Sequence, residues 1–100
     1  MKILKRKDTL KLTNFILTNH AVERFEKRIF TDDLHNVIST CIDGFQYKDK
    51  IFIYSQGLEI RGRWDKKDNL FIVITIIPCS KYKFEKHRRT YLTKENSIYK

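Results

Sequence analysis

Leu58-Glu59-Ile60-Arg61-Gly62-Arg63-Trp64 alternates strictly between apolar and charged side chains, with Gly62 in one of the apolar positions. A period of two is that of a strand half buried on a sheet, so Leu58, Ile60 and Trp64 face a core while Glu59, Arg61 and Arg63 face solvent. Working outward, residues 45–48, 51–54 and 70–77 are also strand-like, and the turns between the strands fall at 48–50, 55–57 and 65–69. Connections this short permit only hairpins, so the four strands are expected to form an antiparallel meander. Residues 70–77 are apolar except for Thr75, as befits a strand covered on both faces, and Pro78 ends it because proline cannot donate to a ladder.

Upstream the period lengthens. Thr18 or Asn19 can cap a helix running to about Arg28, and Thr31, with Asp32 and Asp33 behind it, can cap a second. Leu34, Val37, Ile38 and Cys41 give that second helix one apolar face, and Gly44 is placed to end it in the left-handed conformation. The expected architecture is α+β, with two N-terminal helices packed on a four-stranded antiparallel meander. Residues 1–17 are expected to be a basic N-terminal arm ending in a short extended piece, 18–92 a single domain, and 93–100 a loose tail. Within that domain, 81–89 is expected to be a short strand or irregular arm.

A chain of 100 residues that is 41% hydrophobic builds one core and one domain. Its 21 basic against 12 acidic side chains leave a formal charge of +9, a field that draws in polyanions. Nucleic acid leads among these, because no basic amphipathic helix with a broad apolar face is present for a membrane surface. The competing explanation is a basic domain whose charge serves only solubility. Cys41 and Cys79 stand far apart without a C-x-x-C or Cys/His cluster, so neither a zinc site nor a disulfide framework is expected, and no cofactor is indicated. Polar residues interrupt the N-terminal stretch before it reaches the length of a secretory signal, and no run approaches a transmembrane span; a cytoplasmic location is expected.

His20, Arg24 and Arg28 follow one another at intervals of four along one side of the first helix, beside its apolar face. Two guanidiniums can hold phosphate oxygens and an imidazole can move a proton near neutrality, a combination suited to a phosphodiester. RNA supplies its own nucleophile, the 2′-hydroxyl, so cleavage needs a base, an acid and positive charge, with no metal. A solvated basic face explains the same spacing. Arg61 and Arg63 share one strand face and extend the cationic surface, and Thr75 is the polar exception in its strand. Tyr54 and Tyr82 are candidates for stacking on bases. Lys81, Tyr82, Lys83, His87, Arg88 and Arg89 mix phosphate-binding cations with an aromatic ring, as single-stranded nucleic acid favours.

The run from Thr18 to Arg28, the Ile29-Phe30-Thr31-Asp32-Asp33-Leu34 that follows and the late Ile74-Thr75-Ile76 resemble the DUF4258 domains, placed beside the RelE-like toxins in the wider barnase, EndoU, colicin and RelE group. The resemblance covers roughly residues 20–78, and its sharpest part is the H-A-x-x-R…R helix. It implies a RelE/barnase-like ribonuclease fold that needs no metal, often a toxin against mRNA or tRNA, with His20, Arg24, Arg28 and Thr75 at the active cleft. An acidic antitoxin or immunity protein is the partner it implies. Two departures stand out: Ile29 replaces the glycine common after the second arginine, and a basic extension continues beyond Pro78. The leading expectation is an RNA-binding, metal-independent endoribonuclease. The alternatives are a non-catalytic nucleic-acid-binding or regulatory module of the same fold and a protein-interaction domain.

Overall fold

The computed structural model of the chain describes residues 1–28, 34–40 and 43–97. Along these the chain forms β1 (Lys2–Ile3), α1 (Arg6–Lys11), β2 (Phe15–Leu17), α2 (Asn19–Arg28), α3 (Leu34–Ser39), β3 (Asp43–Tyr47), β4 (Lys50–Ser55), β5 (Leu58–Asp65), β6 (Leu70–Pro78) and α4 (Lys81–Ser97). The strands make one six-stranded sheet in the order β1-β3-β4-β5-β6-β2. It is mixed: Phe15, Ile16 and Leu17 run parallel to Phe71, Ile72 and Val73, while the other neighbours are antiparallel.

Two N-terminal helices on a four-stranded antiparallel meander is therefore not the architecture. The meander is the middle of a wider mixed sheet, and the described residues hold four helices. Residues 1–17 are β1, α1 and β2 rather than an arm, because Leu4 and Leu12 sink into the core and the flanking strands satisfy their backbone groups on the two sheet edges. α1 begins where the Asp8 carboxylate accepts the Lys5 backbone N–H at 2.9 Å, a bond that lowers the Asp8 pKa below its ordinary value. Thr31, Asp32 and Asp33, expected to open the second helix, and Cys41 lie outside the described residues. Gly44 is not a left-handed helix stop; it is extended in β3, opposite Ile53.

The hairpins follow from their turn residues. Gln56 and Gly57 both have positive φ, 52° and 76°, as a two-residue turn between right-twisted strands requires. Asp65 Oδ1 accepts from the backbone N–H of Lys67 at 3.0 Å, fixing the β5–β6 turn, and Asn69 closes it at φ 55°.

Both sheet faces are covered. On one, Ile51, Ile53, Ile60, Phe71, Val73 and Ile76 pack against Leu4, Leu12, Ala21, Val37 and Ile38 from the helical N-terminal half. On the other, Phe45 and Phe52 stack with centroids 4.7 Å apart, and α4 lays Phe84 and Tyr91 over them. Residues 81–89 are thus helix, not strand or irregular arm: Phe84 and Tyr91 are seven apart and share one helical face, and that face is the lid on the second core.

Candidate nucleic-acid interface

The charged side of β5 does not face open solvent, because α4 crosses it. Glu59 is fully buried there, and both of its oxygens are used. Oε2 accepts from Arg61 Nε, and Oε1 lies 2.8 Å from His87 Nδ1 on α4. A carboxylate only accepts, so Nδ1 carries a proton toward Glu59, and in the neutral ring that tautomer leaves the lone pair on Nε2. Burying a carboxylate unpaired would cost several kcal/mol, on the order given for an ion taken from water, and the two donors offset that. Both partners stay partly open, with side-chain exposures of 38% for Arg61 and 39% for His87.

Beside this cluster lies a groove of about 360 Å³, lined by Lys50, Phe52, Arg61, Arg63, Thr75 and Tyr91 among others. The register explains the gathering. Lys50 pairs with Arg63, Phe52 with Arg61 and Arg61 with Thr75, which puts all of them on the α4 side of the sheet. A bulge between Arg61 and Gly62 leaves Ile74 as the extra residue and restores this parity for Thr75. The Arg61 guanidinium carbon sits 5.9 Å from the centre of the Phe52 ring. Its Nε is committed to Glu59, which aims the guanidinium and leaves the Nη groups for a ligand.

Cys79, at the end of β6, joins the cluster from the other side. A thiol sulfur, a Glu59 oxygen and a His87 nitrogen lie within 4.8 Å of one another, a grouping spread over β5, the β6–α4 link and α4 that sequence spacing did not show. Burial, and then the Glu59 charge, push the Cys79 thiol up from its ordinary pKa.

The structure divides the residues singled out from the sequence. Arg61, Arg63 and Thr75 line the groove together. His87 does not line the groove but is linked to Arg61 through Glu59, whereas Arg88 is turned away to Asp43, on which its Nη1 forks at 2.9 and 3.1 Å. Lys81, Tyr82, Lys83 and Arg89 are exposed on α4, with Tyr82 69% accessible. Tyr54 packs its ring on Phe84 at 5.6 Å. His20 is exposed on α2, whose Ala21 packs into the core on the opposite sheet face from Thr75; Arg24 and Arg28 belong to the same helix, and their side chains lie outside the described residues. Glu59, Lys50 and Tyr91 were not singled out. The signals for Glu59 and Tyr91 were an acidic residue ahead of two arginines on one strand face and an aromatic seven residues after Phe84.

Comparison with protein-family models, with curated proteins and with solved structures finds no match to this chain. Among the described residues, no helix is long and apolar enough to cross a membrane.

Proposed function

We propose that the protein binds RNA along the groove between β5, β6 and α4, and cleaves it without a metal ion by attack of a 2′-hydroxyl on the adjacent phosphorus. The observation that carries this is the convergence of Lys50, Arg61 and Arg63 on one hollow that also holds the Tyr91 and Phe52 rings. Phosphates are held by such cations and unstacked bases by such rings, and a strand without a complement offers both at once. The excess charge of +9 brings the polyanion to that surface. mRNA or tRNA as the target, and an acidic antitoxin or immunity protein as the partner, belong to this proposal through the sequence resemblance; an acidic protein laid over the three cations would close the groove.

The test is incubation of the purified protein with total RNA and with tRNA in excess chelator, together with binding to a labelled single-stranded RNA at several salt concentrations. Cleavage leaving 2′,3′-cyclic phosphate ends supports the proposal. Salt-sensitive binding with intact RNA would make the protein a non-catalytic RNA-binding module, and no binding at low salt would refute both.

A further inference from the structure

We infer that His87, oriented by the buried Glu59, is the proton-transfer group of this groove, an assignment that rests on the RNA-cleaving reading and names a site other than the His20 helix. Three observations carry it. Glu59 has no exposed surface and its Oε1 takes the Nδ1–H of His87, which fixes the ring and its tautomer. The His87 side chain is 39% exposed, so it is not sealed inside the fold, and Glu59 and Arg61 tie it to the groove that Arg61 lines. Arg61 holds the other Glu59 oxygen and reaches the groove, which places a phosphate-binding cation one carboxylate away from the base. A base oriented by a buried carboxylate beside a fixed cation is a general arrangement for activating a hydroxyl.

Glu59 and His87, with Cys79, are of donor types that zinc accepts. The carboxylate already meets one full cation in Arg61 and one ring N–H in His87, so its charge and both oxygens are answered within the protein.

The step balances as follows. Nε2 takes the proton of the 2′-hydroxyl, the 2′-oxygen bonds to phosphorus, and the P–O5′ bond breaks. The leaving 5′-oxygen takes a proton from water in the open groove, and the imidazolium returns its proton to solvent. Arg61 Nη groups hold the non-bridging oxygens as charge builds on them.

Glu59→Gln is the discriminating change. Arg61 Nε still demands an acceptor, so the amide oxygen turns to it and the amide NH₂ faces His87, which forces Nδ1 to accept and puts the proton on Nε2. His87→Asn keeps a donor near Nδ1 for Glu59 but removes the base. Each is expected to lower kcat/KM for RNA by about 10²- to 10⁴-fold, the usual worth of one general base. RNA affinity should stay within about twofold, because the groove cations remain. An ascending pH limb in the wild-type rate should be absent in His87→Asn. The other titratable and charged groups of the cluster are Glu59 and Arg61 on β5, Cys79 at the end of β6 and Lys83 on α4. Thermal unfolding of both variants checks the fold, and His87→Gly assayed with added imidazole replaces them if they unfold; rescue there supports the assignment and its failure counts against it. Undiminished cleavage by folded His87→Asn would overturn the assignment and leave the RNA-cleaving reading standing. Bound but intact RNA with the wild-type protein would overturn both.

Discussion

Arg88 Nη1 forks onto both carboxylate oxygens of Asp43, at 2.9 and 3.1 Å, joining the middle of α4 to the start of β3 across 45 residues of chain. With side-chain exposures of 27% and 15%, the pair is partly withdrawn from water. Arg88→Ala is expected to lower stability in urea by about 1.5–3 kcal/mol, the range for hydrogen bonds to charged groups. Added salt should erase little of that difference, since partly buried pairs are weakly screened.

Phe84 and Tyr82, two residues apart on α4, should respond oppositely to truncation. Phe84 is fully buried against Phe45 and Tyr54, so Phe84→Ala should cost about 3–5 kcal/mol. Tyr82 is 69% exposed, and Tyr82→Ala should stay within about 0.5 kcal/mol. Equal effects in denaturant titrations would mean that α4 is not docked through Phe84.

At position 62 the sheet admits no side chain. A Cβ there would lie 2.2 Å from the Ile72 carbonyl oxygen and 2.6 Å from Phe71 Cε1, so backbone and a buried ring would both have to move. Gly62→Ala should destabilise by about 1–3 kcal/mol, as overpacking does, with the loss visible as a lower urea midpoint at unchanged slope.

Lys50 and Arg63 can be removed without disturbing Glu59. The double variant Lys50→Ala/Arg63→Ala should weaken binding to single-stranded RNA and flatten the log–log salt dependence by about 1.4, two contacts at about 0.7 each. An unchanged slope would place the phosphate contacts elsewhere.

The Cys79 thiol is held above its ordinary pKa first by burial and then by the Glu59 charge. The unfolded thiol therefore releases its proton at lower pH than the folded one. The associated stability is present below the unfolded pKa and is lost as pH rises through the folded pKa. In a Cys41→Ser background, alkylation of native Cys79 should lag behind that of the urea-unfolded chain, and its rate should rise only at more alkaline pH.

The middle of the sheet was legible because its signals are local: the alternation of 58–64, the turn residues at 48–50, 55–57 and 65–69, and Pro78. β1 and β2 were not, since two and three residues carry no period and their pairing is made by distant strands. α4 was missed for a different reason. Its buried stripe is Phe84 and Tyr91 with His87 and Arg88 between, too narrow to stand out among the lysines and arginines around it. Parity placed Arg61 and Arg63 together on one strand face, and the register brings Thr75 beside them. It could not show that Glu59 on that face is buried, because a charged face looks solvated until a helix is known to cross it.

The parallel seam between β2 and β6 joins residues 15–17 to residues 71–73. Ribosomal synthesis runs from the N-terminus, so the early strand has no mate until residues 71–73 have emerged. The stacked Phe45 and Phe52 wait longer still, uncovered until α4 leaves the exit tunnel. Nascent chains stalled before residue 84 should expose a sticky aromatic surface to chaperones, and emergence of α4 is what buries it.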